Sequence, residues 1–331
     1  MKITDWAVIF VLLACPALYM LQWDAVQLRE ANRLQLKYTA ALRTAAQDAG
    51  SRLGQNELQR YEAGYGSSKF MRADKEAALS AMLDTLLLNL GEHEDALSRD
   101  LLMTYIPAVI VIDYDGYHIY AVQEKEGEDG SVLARHHWLP KKSYVHRDAE
   151  GNMIYFTLDD QITVIDSASG EVHRGLREEL GSALSVKLLQ QKEAFEDVRR
   201  SAIVSSIQED LSRVIDNHNA FVRKLGFNYI FTLPTISMEA WNNSIDDVGI
   251  LVFLQGLPVG GKHYNNYALG GGRVLRQRPV YGWSDPNTGI RYAGHRHCFG
   301  GPGTERAEIF ASPKDAAAKG YFEARCPLQG P

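Results

Sequence analysis

WAVIFVLLACPALYMLQW, residues 6–23, decides how the rest of the chain is read. The run is apolar or aromatic from Trp6 to Met20 and closes through Leu21, Gln22 and Trp23. Its 18 residues would rise about 27 Å as a helix, against a hydrocarbon core of about 30 Å. Trp6 and Trp23 stand where interfacial aromatics sit in spanning helices. Pro16 in mid-span is a kink that membrane helices tolerate. No second run of this kind follows, so the sequence predicts a water-facing body on one N-terminal membrane anchor, residues 1–23.

The flanks bear on processing and orientation. Before the run stand only Lys2 and Asp5 as charged side chains, and no clean Ala-x-Ala follows it, which weighs against a cleaved signal peptide. Leu12-Leu13-Ala14-Cys15 resembles a lipobox with Cys15 as the lipidated residue, but Pro16 to Leu21 stays apolar where lipoproteins turn polar. Lys and Arg counted alone (Lys2 before; Arg29, Arg33, Lys37 and Arg43 after) would keep the body inside the cell. Asp24 and Glu30 dilute that bias, and large domains translocate with little regard to it. Cys298 and Cys326 are the only cysteines outside the span. A disulfide between them implies an oxidising exterior and would stabilise by roughly 3–4 kcal/mol; two unrelated thiols are the alternative. The body is therefore expected outside the cytoplasm.

At 331 residues and 45% hydrophobic content the body can bury a substantial core and could form two domains. A net charge of −6 excludes a general electrostatic footprint for nucleic acid. After the anchor, Leu34, Tyr38, Ala41, Leu42, Ala45 and Ala49 recur at three and four, so one stripe continues the helix to Gly50 and Gly54. Ser68 is placed to cap a second helix over Lys69–Leu90, ended by Gly91, so 24–106 reads as a helical stalk or hairpin. From Pro107 the period becomes two. A strand to Tyr114 turns at Asp115-Gly116 into Tyr117–Glu124, and Met153–Leu158 turns at Asp159-Asp160 into Gln161–Ile165. These predict a small antiparallel sheet in 107–177. Residues 178–226 read as one long helix stopped by Gly226, and 227–331 as a β-rich region with strands at Tyr229–Leu233, Gly249–Gln255 and Arg273–Arg278. The fold class is α+β: a spanning helix extended outward, antiparallel sheet, and a long helix between the strand regions.

Chemistry-bearing clusters are sparse. His295-Arg296-His297-Cys298, completed by His263 or by His136 and His137, could supply metal ligands. The cluster lacks the second half of any zinc spacing, and a disulfide would remove the Cys298 thiolate. Cys298 beside two histidines is likewise a bare nucleophile pair. Gly270-Gly271-Gly272 and Gly300-Gly301-Pro302-Gly303 match no phosphate loop, and turn duty is their default. Asp113 with Asp115, and Asp159 with Asp160, could be paired carboxylates, but each pair sits at an expected hairpin end. Asn242-Asn243-Ser244 matches a glycosylation sequon. Arg273, Arg276 and Arg278 among Tyr264, Tyr267, Tyr281 and Trp283 suit protein contact better than single-stranded nucleic acid. No cofactor is expected.

The single span running into LQLKYTAALRTAAQDAGSRL, residues 34–53, resembles the TadE/TadG-like minor pseudopilins of tight-adherence systems. The match lies in the alanine-and-Asp stretch Ala40–Ala49 and covers about 50 residues. In type IV-like pilins an acidic residue near the start of the apolar segment pairs with a neighbour's amino terminus, and Asp5 stands near that place. No prepilin-type cleavage motif precedes it. The segment His263-Tyr264-Asn265-Asn266-Tyr267-Ala268-Leu269-Gly270-Gly271 also looks like uncharacterised single-span membrane proteins of Gram-positive bacteria. The resemblance implies a membrane-anchored, non-enzymatic assembly or surface protein, whose partners are membrane lipid and other pilus-like proteins or copies of itself. Its helices would pack along the Leu34–Ala49 stripe. The alternative is a membrane-tethered extracellular enzyme or binding module using the His295–Cys298 loop.

Overall fold

The computed structural model describes residues 3–54, 65, 67, 70, 72–126, 132–271, 280–285, 288–294, 308–310 and 313–324. The chain divides into two compact units, Met1–Val274 and Leu275–Pro331.

The first unit begins with α1 (Ile3–Arg52), one uninterrupted helix of 50 residues, about 75 Å long. Its outer half is lined with alanine, and Ala41, Ala45, Ala46 and Ala49 are fully buried. α2 (Lys75–Leu90) lies against it; the Lys37 ammonium donates to the Leu90 carbonyl at 2.8 Å, and Thr85 Oγ1 to Asp48 at 2.8 Å. The start of α2 differs from the sequence expectation, which puts the cap at Ser68. Asp74 caps it instead, its carboxylate accepting from Ala77 N at 2.9 Å, because an Asp followed by Lys-Glu-Ala-Ala offers the stronger start signal. Gly91 ends the helix in the left-handed conformation, as expected. Leu86 and Leu87 join the core, while Leu88 is exposed. A short α3 (Ala96–Met103), capped by Asp95, has no counterpart in the sequence expectation.

Nine antiparallel strands follow: β1 (Val109–Asp113), β2 (Gly116–Glu126), β3 (Val132–Trp138), β4 (Lys142–Arg147), β5 (Met153–Phe156), β6 (Gln161–Ile165), β7 (Val172–Leu176), β8 (Gly249–Val259) and β9 (Lys262–Gly271). Their order is β7-β6-β5-β4-β2-β1-β8-β9, with β3 also paired to β2. The two sheet regions read from the sequence thus join: β8 pairs with β1 in register Ile110↔Leu251, which makes one sheet across the long helix between them. The β1–β2 hairpin is present, but its loop is Tyr114-Asp115, and Gly116 is already in β2, opposite Asp113. Gly116 is required for another reason. A Cβ there would lie 2.5 Å from the Lys142 carbonyl, where β4 crosses β2.

Register fixes the layers. Tyr117, Ile112 and Gly249 stand side by side on one face; His118, Val111, Ile250 and Gly270 stand side by side on the other. α1 lies on the second face. A Cβ on Gly270 would fall 1.7 Å from the Ala46 carbonyl oxygen, so helix backbone and strand backbone touch directly. The Gly270-Gly271 pair therefore serves helix–sheet contact from within β9 rather than a turn. On the first face lies α6 (Lys192–Lys224), to which Tyr117 donates through its hydroxyl. Helices on both sides explain why β1 is buried at every residue.

The expected helix over 178–226 is three helices: α4 (Arg177–Ala183), α5 (Lys187–Gln190) and α6. The chain folds back at Leu184–Val186 so that Gly181 meets the Leu189 carbonyl, 2.8 Å from where a Cβ would stand. Tyr229–Leu233 is extended but joins no strand ladder. Side-chain amides hold it instead: Asn219 brackets Phe231 at 2.8 and 2.9 Å, and Gln255 brackets Thr232 at 2.7 and 3.1 Å. α7 (Met238–Ser244) carries the sequon residues Asn242 and Ser244. Arg273–Arg278 lies outside the described residues.

The second unit contains β10 (Val280–Ser284), β11 (Arg291–Gly294), β12 (Glu308–Phe310), α8 (Pro313–Ala318) and β13 (Phe322–Glu323), in sheet order β12-β10-β11-β13. Val280, Ala293, Phe310 and Ala316 form its small core, with Tyr321 packed against them.

Candidate membrane and assembly interface

α1 changes character along its length. Among its described side chains, Phe10, Leu12, Leu13, Leu18, Met20 and Trp23 are all more than half exposed, and none of the described residues covers them. Tyr19 and Trp23 stack at 6.3 Å near the end of this stretch. The helix is long and apolar enough to cross a membrane, and its most apolar window is entirely unburied. A buried core helix with the same composition would be covered, whereas the described side chains of this stretch are not. Trp6 and Asp5 lie in the helix, with side chains outside the described set; Cys15 is an exposed free thiol.

Burial begins at Ala31 and deepens outward. Leu34 and Tyr38 are half-buried against the core, while Ala41, Leu42, Ala45 and Ala49 are fully buried. The six-residue stripe therefore corrects one expectation. Its outer four residues, Ala41, Leu42, Ala45 and Ala49, are covered by this chain's own β8, β9 and α2, while Leu34 and Tyr38 are covered only in part. Alanine is used here because larger side chains would hold α1 away from β9. Tyr264 anchors the inner edge of this seam, edge-on to Tyr38 at 5.5 Å and 3.0 Å from the Thr39 hydroxyl. Burial pushes the Tyr264 hydroxyl pKa up, so it stays a neutral hydrogen-bonding group.

Between the bare and buried parts of α1 lies a cleft of about 580 Å³, walled by Gln27–Gln35 on the helix and by the β8–β9 turn, Val259–Asn266. His263, one of the metal candidates read from the sequence, lies here with its ring on Tyr229 at 5.1 Å. His136 lies elsewhere, on β3, packed with Tyr120, His218 and Phe221. Desolvation lowers the pKa of both His136 and His218 to about 4, so both are neutral at physiological pH. His137 follows on the opposite side of the strand. His295, His297, Cys298 and Cys326 lie outside the described residues, and with them the expected disulfide. Among the described residues no three His, Cys, Asp or Glu side chains are placed to hold a metal.

One pair of carboxylates does converge, with a lysine between them. Lys141 Nζ lies 3.0 Å from Asp113 and also contacts Asp115, all three nearly buried. Asp113 further accepts from Tyr114 N at 2.8 Å, and Tyr65 donates to Asp115 at 3.1 Å. Asp159 separates from Asp160 and ties Tyr114, Thr157 and Ser67 together. Burial raises its pKa, but the hydrogen bonds from Ser67, Tyr114, Gln161 and Thr157 outweigh that and hold it below the ordinary carboxylate value. On the other face Lys142 reaches Asp210 at 2.9 Å, where Tyr117 also donates at 2.5 Å. Lys141, just before β4, and Lys142, its first residue, thus serve opposite faces of the sheet. These networks tie elements together, with each carboxylate engaged by a cation or a donor.

No family model, curated protein or solved structure matches this chain. Sequence reasoning passes over Lys141, Lys142, Asp210 and His218. Lys141-Lys142 at a strand start opposite two acidic turns is the available signal for the first two. His218 on a mostly apolar helix face is the signal for the buried imidazole.

Proposed function

We propose that this protein is a membrane-anchored, extracytoplasmic assembly or surface protein, possessing the plan of a pilin-like subunit. One observation carries the reading: the described side chains of α1 from Phe10 to Trp23 are mostly apolar and bare, and its second half is locked by close backbone contact into a sheet. Such a helix transmits the position of the body rigidly to whatever its bare half packs against. With the outer stripe already filled, contacts between subunits fall to the bare half. There they share the surface with lipid, as in helix association within membranes. The TadE/TadG-like resemblance agrees with this division of labour and with a body outside the cytoplasm.

Cys15, exposed on that half, supplies the test. Oxidative cross-linking in native membranes is expected to give a disulfide-linked dimer of the full chain that disappears in Cys15→Ser. A chain that floats with membranes after alkaline extraction but never cross-links through Cys15, at any expression level, would leave an anchored protein whose copies do not meet through α1.

A further inference from the structure

The cleft between α1 and the β8–β9 turn has a composition that its position explains. Gln27, Asn32 and Gln35 form one wall, and Lys262, His263 and Asn265 the other. No carboxylate among the described residues lines it, although the chain carries 41 acidic residues against 35 basic. Its polar side chains are one ammonium, an imidazole, the Tyr264 phenol and several carboxamides, a set that favours an anion with hydrogen-bonding substituents. Leu28 and Val259 add apolar surface. The cleft is closed at its base, because the turn rests on the helix: a Cβ on Gly260 would lie 3.2 Å from the Ala31 methyl.

Its height along α1 is fixed by the continuous helix. Gln27 and Gln35 lie four and twelve residues beyond Trp23, about 6 and about 18 Å along the axis. With Trp23 at the edge of the hydrocarbon, the headgroup layer occupies roughly the next 5–8 Å. The inner end of the cleft thus stands at phosphate level and the outer end in water.

Resting on the membrane-anchored reading above, we propose that this cleft binds the headgroup of an anionic glycerophospholipid. Gln27 at the inner end donates to the phosphate, and Asn32, Lys262 and Asn265, farther out, take the headgroup hydroxyls, with the Lys262 ammonium drawing the anionic charge to the cleft. The lipid's acyl chains run down beside the bare face of α1. Binding there holds the body upright on its helix, because the same headgroup touches both α1 and the sheet.

The test is native mass spectrometry of the detergent-solubilised full chain with phosphatidylglycerol or phosphatidylcholine of matched acyl chains. One retained phosphatidylglycerol per chain is expected, with retention at least about tenfold above phosphatidylcholine. Lys262→Glu and Asn32→Ala, both at exposed positions, should each reduce that retention several-fold without changing helix content or Tm. Equal retention of the two lipids, or undiminished phosphatidylglycerol binding in Lys262→Glu, overturns the assignment. Glycerol 3-phosphate is the third arm: if it binds as tightly as the lipid, the ligand is a soluble phosphate ester and the lipid assignment falls. Because detergent solution reads the cleft directly, these results are independent of alkaline extraction, which tests anchoring itself.

Discussion

Acidification should weaken this fold well above the pH at which its carboxylates titrate, and two histidines set the size of the effect. His136 and His218 face each other at 6.2 Å between ring centres, both against Phe221, and His218 is completely buried. His218 Nε2 donates to the Thr104 carbonyl at 3.0 Å, a contact that by itself favours the protonated ring and is outweighed by burial. Desolvation lowers both pKa values from 6.5 to about 4, opposed by Asp100 at His136 and by the Thr104 carbonyl at His218; His137 at His136 and His136 at His218 add smaller lowering effects. A depressed folded value means that the unfolded chain binds protons first as pH falls. Stability is therefore complete above pH 6.5, declines through the window from 6.5 to about 4, and levels off below it. At pH 5 the linkage amounts to roughly 2 kcal/mol per histidine, and about 4 kcal/mol for both as an upper bound. Asp159 and Asp210 are shifted below the ordinary value of 3.8, so their contribution is lost only at more acid pH. Urea unfolding of the solubilised full chain at pH 7.5 and 5.0 would show the difference as a fall in midpoint at constant slope. His136→Phe, which keeps the aromatic packing, should remove about half of it. Unchanged midpoints between the two pH values, or the full pH sensitivity persisting in His136→Phe, would exclude this linkage.

Three substitutions address the seam between α1 and its neighbours. Gly270→Ala must push α1 off β9 and should cost about 3 kcal/mol or more, above the ordinary range for overpacking because the clash is with backbone; thermal unfolding reads it. Ala45→Glu buries an unpaired carboxylate where exposure is 0% and should unfold the body outright, visible as loss of cooperative melting, whereas a folded, assembly-defective protein would restore the stripe as an external surface. Asp74→Ala removes the α2 cap and should lower stability by about 1 kcal/mol, with Asp74→Ser recovering most of it.

The parts legible in the sequence are those with a local cause. The apolar run, the period of Leu34–Ala49, the Gly91 and Gly226 stops, and the alternation around Tyr117 and Ile162 each follow from neighbours along the chain. What stays hidden depends on distant backbone. Gly270 and Gly116 look like turn glycines until α1 and β4 are laid across them. Leu180 to Leu188 carries a helical period, yet the chain turns back there because Gly181 lets two short helices meet. Tyr229–Leu233 alternates like a strand, but Asn219 and Gln255 take the hydrogen bonds that a ladder would make. The stripe on α1 shows the same limit for function: spacing reveals that a face is covered, and only the fold shows by what.

Whether the anchored body stands outside the cytoplasm can be decided by one labelling experiment. Ser169→Cys places a thiol in the exposed turn before β7, in a full chain carrying Cys298→Ser and Cys326→Ser and keeping Cys15 as an internal control within the span. A membrane-impermeant maleimide added to whole cells should label the introduced thiol at once and leave Cys15 untouched until detergent is added. Labelling of the introduced thiol only after lysis would put the body in the cytoplasm and overturn the proposed function.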